Sequence, residues 1–201
     1  TWFKGTQYYG MFHYQRLSGG NITVSNVLDL EDYVKCSIPY EMVPSWPIEA
    51  LKAQAICART YAINNRNKYS SYGFNLCTTQ ASQVYPGLSS ETARTRQAVD
   101  ETRGQTVKYN GKTAQTFFFS ADGGKTANVK YVWGSSFPFL ISVDDPFENA
   151  AEASYSNWTA SFTASQIKEK LAAAGVDIGN IIDIYIDGAD NGTVYNLGVR
   201  C

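Results

Sequence analysis

The most distinctive chemical group in this sequence is a glutamate set between two prolines. Glu41 lies within residues 39–44, which begin and end with proline, and we predict a rigid, irregular active loop there. A general acid must stay protonated near neutral pH, and burial in an apolar setting raises a carboxyl pKa toward that range. The neighbours that would supply such a setting are Tyr40, Met42, Val43 and Trp46. The alternative is a solvated loop glutamate without a chemical role.

A second group of polar residues lies on or near a predicted alanine-rich helix. Gln54 and Arg59 fall among small apolar residues, and burying an unpaired charge or amide there would cost several kcal/mol. Both are therefore candidates for substrate contact or for bridging groups in the core. Gln83 ends a short polar stretch and is a candidate for binding sugar hydroxyls.

Backbone donors and further carboxylates follow later in the chain. Ser120 and Asp122 flank a turn in which Gly123 and Gly124 would let backbone N–H groups approach a ligand, a plain tight turn being the alternative. Asp144 and Asp145 precede a proline, where they would cap a turn or provide a second carboxylate for a hydrolase.

The elements that must position these groups are a mixture of helices and hairpins. Helices are predicted over residues 45–65, 90–102 and 165–174, with Ser45 and Ser90 as N-caps. Hairpins are predicted around residues 18–21, at Asn110–Gly111, and between 181–187 and 194–199, with strands at 83–85 and 113–120. We therefore predict an α+β fold with mostly antiparallel strands and a long central alanine-rich helix.

Composition excludes several classes of protein. Lys and Arg number 17 against 18 Asp and Glu, so the basic surface of a nucleic-acid binder is absent. Four cysteines without a C-x-x-C pair and a single histidine argue against a structural zinc site, and they leave any disulfide pairing open. No apolar run is long enough to span a membrane, so we expect any leader or anchor to lie upstream of this sequence.

Three segments resemble one known family. Residues 31–62, with the prolines, Glu41 and the alanine-rich helix, closely resemble the SpoIID (stage II sporulation protein D) family of peptidoglycan lytic transglycosylases. Residues 82–87 agree with it, as do residues 119–126 together with the Trp-Gly and Pro-Phe-Leu stretches that follow. The resemblance covers nearly the whole chain.

The resemblance implies an architecture and a site. It implies one SpoIID-type catalytic domain over residues 1–201, with two lobes and a cleft between them, and Glu41 as the catalytic acid/base. It also implies that the polar face of the long helix and the glycine-turn strand line the cleft. The expected substrate-binding residues are Gln54, Arg59, Gln83, Tyr85, Ser120, Asp122, Gly123, Gly124 and Thr126. Some relatives bind zinc with a Cys and a His in the stretch matching residues 77–81, which has no His here, so no metal or cofactor is predicted.

The resemblance also implies a reaction and a location. The expected activity is cleavage between N-acetylmuramic acid and N-acetylglucosamine, giving 1,6-anhydro ends on glycan strands, preferably strands free of stem peptides. A non-catalytic, glycan-binding enhancer of a cell-wall amidase is the alternative, and an amidase is in either case an expected partner. The chain is expected to face the cell wall outside the membrane, secreted or membrane-anchored.

Overall fold

The computed structural model describes residues 1–148 and 158–201. The chain divides into two compact units, of which the first spans Thr1–Phe118 and the second Phe119–Cys201. The described residues include five α-helices and four antiparallel strand pairs, which confirms the predicted α+β class. The single catalytic domain and the cleft between lobes stay predictions.

The first unit begins with two antiparallel hairpins. Strands β1 (Trp2–Phe3) and β2 (Thr6–Gln7) form a short pair that the sequence did not indicate. Strands β3 (Met11–Arg16) and β4 (Ile22–Val27) pair in continuous register across the predicted turn at residues 18–21. The hairpin prediction for this stretch is confirmed.

Helix α1 spans Leu30–Glu41 and includes one of the two prolines expected to keep this stretch irregular. Asp29 caps its first turn by accepting the N–H of Glu31. Pro39 lies in the last turn, where its ring removes one backbone donor. The prediction of an irregular connection from residue 39 is wrong because Val34 and Ile38 are fully buried on this helix, and their burial favours a continued helix.

Helices α2 (Ile48–Asn64) and α3 (Ala93–Glu101) pack with α1 around the core of this unit. Both predicted helices are confirmed, but their predicted caps are not. Helix α2 follows Pro47 without a side-chain cap, and Thr92 rather than Ser90 caps α3 in a capping box with Thr95. The core cluster combines small and branched side chains: Val34, Ile38, Ala55, Ala58 and Val99. Its alanines let the three helices approach closely.

The rest of the first unit is mostly irregular. Residues 83–85 form no strand, although a strand was predicted there. Strands β5 (Lys108–Tyr109) and β6 (Lys112–Thr113) pair around Asn110 and Gly111, whose φ values of +48° and +77° are those of the predicted turn. Beyond Thr113 the predicted strand over residues 113–120 makes no further ladder.

The second unit contains two helices and a long hairpin among its described residues. Helix α4 (Val129–Trp133) was not predicted, whereas α5 (Ala164–Ala173) matches the helix expected at residues 165–174. Strands β7 (Asp183–Asp190) and β8 (Thr193–Arg200) confirm the final hairpin.

Among the described residues, no helix combines the length and apolarity needed to cross a membrane.

Candidate functional site

Glu41 is the last residue of α1, and its side chain is half-buried. Burial raises the pKa of this carboxyl above its ordinary value, and a hydrogen bond from the backbone N–H of Val84 acts in the opposite direction. The position at the C-terminal end of a helix also disfavours the carboxylate, because the helix dipole is negative there. The carboxyl is therefore biased toward the protonated form that a general acid needs.

Three apolar residues near Glu41 in the chain are exposed rather than buried. Tyr40 is 59% exposed, Val43 51% and Trp46 47%. About half of each of these side chains is open to solvent, so the expectation that they surround the carboxyl with apolar groups stays a prediction. Arg94 fixes this loop by donating from Nε to the carbonyl of Pro44 at 2.9 Å and from Nη2 to that of Trp46 at 2.8 Å.

Gln83 directly precedes Val84, the residue whose backbone N–H interacts with the Glu41 carboxyl. Its side chain is 2% exposed, and its Oε1 accepts a hydrogen bond from the Tyr33 hydroxyl at 3.2 Å. Its Nε2 is buried without a partner among the described residues, as is Nε2 of Gln54, which is 8% exposed. Unpaired buried donors are costly, so each of these amide nitrogens would form a hydrogen bond with a ligand atom or a water molecule that reached it. Their contact with substrate stays a prediction.

Tyr85 is buried and bonded within the protein. Its side chain is 5% exposed, its hydroxyl donates to Oδ1 of Asn26 at 2.9 Å, and its ring packs at a tilt against that of Tyr33. These contacts fix the segment to β4 and α1. We therefore assign Tyr85 to holding residues 83–85 in place rather than to touching a sugar.

Arg59 lies in the helical core, where its guanidinium is surrounded by acceptors. It is 1% exposed and bonds Glu31 through Nε at 2.9 Å and through Nη2 at 2.6 Å. It also donates to the carbonyls of Gln105 and Val99. Gly104 completes the network by donating its N–H to Glu31. With no exposed donor, Arg59 bridges α1, α2 and the end of α3, which corrects its assignment to substrate binding.

The glycine turn belongs to the second unit, and its backbone donors already have acceptors. Gly123 and Gly124 adopt φ values of +70° and +91°. The N–H groups of Asp122 and Gly123 donate to Glu148 at 2.6 and 3.0 Å, and that of Gly124 donates to Oδ1 of Asp122. Burial and a hydrogen bond with Glu148 raise the pKa of Asp122. The turn thus binds an anionic group of its own chain, and a substrate would have to displace Glu148.

Other predicted residues near this turn have ordinary local roles. Ser120 is exposed, whereas the hydroxyl of Thr126 is bonded to the backbone of Val143. Asp145 accepts the N–H of Phe147 two residues on, which is the turn-capping role, and Asp144 lies 3.7 Å from Lys125. Whether this turn lines a cleft with Glu41 stays a prediction.

Sequence reasoning missed three residues that shape these sites. Tyr33 is one helical turn before Ser37 and two before Glu41, and that spacing of four residues was a usable signal. Neither Glu31 as the partner of Arg59 nor Glu148 as the partner of the glycine turn was expected from the sequence. No periodic signal could pair Glu31 with Arg59 or Glu148 with the glycine turn, because these partners are 28 and 25 or more residues apart.

Cys77 has the lowest pKa among the thiols whose pKa is shifted from its ordinary value. The described cysteines are all free thiols. The Cys77 Sγ lies 3.3 Å from Oγ1 of Thr79 and 3.4 Å from Oγ of Ser82. Burial raises its pKa, but hydrogen bonds with Ser82, Thr79 and Tyr69 outweigh that effect and bring the pKa to about 7. Burial raises the pKa of Cys36 to about 12.

This contrast predicts selective alkylation. At neutral pH, iodoacetamide should modify Cys77 far faster than Cys36, because only the thiolate reacts. Mass spectrometry of peptides from a time course measures the two rates. Ser82→Ala is the matched variant, and it should slow labelling of Cys77 near neutral pH because one hydrogen bond to the thiolate is lost. Equal rates at Cys77 and Cys36 would contradict the predicted acidity.

Comparison with known proteins places the chain in a family. Residues 18–109 match the family model described as SpoIID, stage II sporulation protein. The chain is 38% identical over 173 residues to an uncharacterized protein of Brachyspira hyodysenteriae, covering 84% of this chain and 45% of that protein.

Two Bacillus subtilis proteins are also similar. The amidase enhancer is 37% identical over 137 residues, which is 68% of this chain and 18% of the relative. Stage II sporulation protein D is 33% identical over 166 residues, which is 75% of this chain and 48% of the relative. The chain spans about half or less of the length of these relatives. The family match and these relatives together show that the chain belongs to the SpoIID family.

Proposed function

We propose that this chain is a peptidoglycan lytic transglycosylase in which Glu41 is both acid and base. The observation that carries the proposal is the half-buried carboxyl of Glu41, whose pKa burial raises and which accepts one backbone hydrogen bond. Membership of the SpoIID family supports a role at the cell wall. A single carboxyl suffices because the substrate supplies its own nucleophile.

The proposed reaction proceeds in two proton transfers. The Glu41 carboxyl protonates the oxygen that bridges C1 of N-acetylmuramic acid to N-acetylglucosamine, and the C1–O bond breaks as positive charge develops at C1. The resulting carboxylate takes the proton of the muramyl 6-hydroxyl, whose oxygen closes onto C1. The product carries a 1,6-anhydro ring, no water is consumed, and Glu41 is protonated again. The internal hydroxyl replaces a second carboxylate by proximity.

Surface features beside Glu41 support binding of a sugar chain. The exposed rings of Tyr40 and Trp46 offer apolar faces on which pyranose rings can stack. The Nε2 atoms of Gln54 and Gln83 are buried and have no partner among the described residues, so a hydroxyl or acetamido oxygen that reached them would accept a hydrogen bond. The proposed substrate is the glycan strand freed of stem peptides, and peptidoglycan lies outside the cytoplasmic membrane, so the proposal places the chain there.

The pKa of Glu41 predicts how the rate depends on pH. The first step needs the protonated carboxyl, so kcat/KM should be highest below the pKa of Glu41 and fall as pH rises through it. Because burial raises that pKa, the fall should occur at higher pH than for an ordinary glutamate. Initial rates of anhydro-product release across a pH series measure this limb. A rate that rises as the carboxyl ionises would contradict the acid role.

Digestion of peptide-free glycan with analysis of the strand ends by mass spectrometry tests the function. Anhydro ends support the transglycosylase. Reducing ends would instead indicate a hydrolase with a second carboxylate, for which Asp144 and Asp145 were the sequence candidates. Absence of cutting together with tight retention of glycan would overturn the proposed activity.

A non-catalytic enhancer of a cell-wall amidase is the second candidate. It is favoured by the relative that carries the name amidase enhancer and is 37% identical over 68% of this chain. In that case the chain would bind glycan, leave its ends unchanged and increase the rate at which an added amidase releases stem peptides. Measuring both products in one digestion separates the two functions.

A further inference from the structure

Tyr33 and Glu41 lie on the same face of α1, and they interact with two consecutive residues, Gln83 and Val84. They are eight residues apart, with Ser37 between them at the four-residue spacing that aligns side chains along a helix. The Tyr33 hydroxyl donates to Oε1 of Gln83 at 3.2 Å, and the backbone N–H of the next residue, Val84, interacts with the Glu41 carboxyl and lowers its pKa. Two adjacent residues are therefore bonded to two points on one helix.

The contact made by Tyr33 is buried and firmly supported. Gln83 is 2% exposed, so water does not compete freely for its carbonyl oxygen. The Tyr33 ring lies 5.3 Å from that of Tyr85, centroid to centroid, and Tyr85 is held by Asn26. Burial raises the pKa of the Tyr33 phenol well above its ordinary value, so its hydroxyl remains a donor over the working pH range.

We propose that Tyr33 is a positioning residue for the acid/base of the reaction proposed above: by fixing the Gln83 amide, its hydroxyl holds the Val84 N–H against the Glu41 carboxyl. Tyr33 itself does not touch the reacting atoms in this arrangement. Its effect is transmitted through one side-chain hydrogen bond and one peptide unit. A misplaced acid loses much of its advantage, because proton transfer requires the carboxyl within hydrogen-bond reach of the bridging oxygen.

The direction of the expected change follows from which form the Val84 N–H stabilises. It donates to the carboxylate and so favours ionisation of Glu41. When Tyr33→Phe releases Gln83, this hydrogen bond weakens, the carboxylate is less stable and the pKa of Glu41 rises. We expect kcat to fall about threefold to tenfold, the loss of one hydrogen bond, while the alkaline limb of kcat/KM moves to higher pH.

Other titratable groups in this region must be separated from Glu41. Burial is the main cause of the raised pKa of Tyr33, and the charges of Tyr61 on α2, of Cys77 and of Glu41 itself raise it further. Cys77 has a pKa of about 7, so a rate profile alone could mix its ionisation with that of Glu41. NMR titration with ¹³C-labelled glutamate carboxyls, assigned by the Glu41→Gln spectrum, follows the Glu41 group directly.

The test applies this titration to the whole chain as wild type, Tyr33→Phe and Tyr9→Phe. Tyr9 is the matched control, because its hydroxyl also donates to a side chain of the first unit, Glu91, at 2.8 Å. We expect the Glu41 midpoint to rise in Tyr33→Phe only. An unchanged midpoint in both variants, or an equal shift in both, would overturn the positioning role.

The titration does not depend on catalysis, so the two proposals can fail separately. If wild type makes no anhydro ends while the Glu41 midpoint still shifts in Tyr33→Phe, the proposed activity is wrong and the link between Tyr33 and Glu41 stands. If wild type is active and the midpoint does not move, only the link is wrong. If Tyr33→Phe is misfolded by circular dichroism, Gln83→Met removes the acceptor of the Tyr33 hydroxyl without adding a charge and is titrated in its place, with the same shift required.

Discussion

Glu41→Gln should abolish formation of anhydro ends while leaving the protein folded. The amide is nearly isosteric but cannot give up a proton, and removing a general acid costs a factor of about 10² to 10⁴ in rate. The side chain is half-buried at the end of α1, so the substitution leaves the helical core untouched. The measurement is the initial rate of anhydro-product release from peptide-free glycan, followed by mass spectrometry.

Glu49→Gln is the matched control for that experiment. Glu49 is exposed in the first turn of α2, where it pairs with Lys52 at 2.8 Å, and it has no place in the proposed reaction. Its rate should equal that of wild type. Full activity in Glu41→Gln would show that another group supplies the proton. Equal glycan retention by wild type and Glu41→Gln, with cutting by neither, would instead favour the amidase enhancer.

Arg59→Met should cause a large loss of stability. The substitution preserves most of the buried stem but leaves Glu31 as an unpaired charge that is 6% exposed. Removing one partner of a buried ion pair typically costs about 3 to 5 kcal/mol. For a chain of this size we therefore expect the melting temperature to fall by roughly 10 °C, measured by circular dichroism or calorimetry.

Two further variants isolate the cause of this loss. Arg200→Met removes an exposed guanidinium that pairs with Asp183 at 2.9 Å across β7 and β8, and it should change the melting temperature little. Glu31→Gln combined with Arg59→Met should be more stable than Arg59→Met alone, because no uncompensated charge remains. If Arg59→Met melts at the same temperature as Arg200→Met, the pair does not stabilise the fold as described. If it does not fold at all, recovery of folding in the double variant carries the same information.

Local sequence determined those features whose partners are close in the chain. The turn at Asn110–Gly111, the alanine-rich helix α2 and the final hairpin were predicted because a turn type or a period of a few residues specifies each of them. The carboxyl of Glu41 was also recognised from its immediate surroundings and the family resemblance. Its raised pKa follows from burial, as expected, while Tyr40 and Trp46 are themselves about half exposed.

Tertiary structure decided which polar residues face a ligand and which hold the fold together. Arg59 was an open choice in the sequence, and it became a core residue only because Glu31 and the carbonyls of Val99 and Gln105 converge on it. The donors of the glycine turn were likewise expected to be available, but Glu148 takes two of them. Pro39 continues a helix because its neighbours are buried against other elements. Each outcome depends on partners brought together by chain packing, and no local period or turn signal encodes contacts between residues so far apart in sequence.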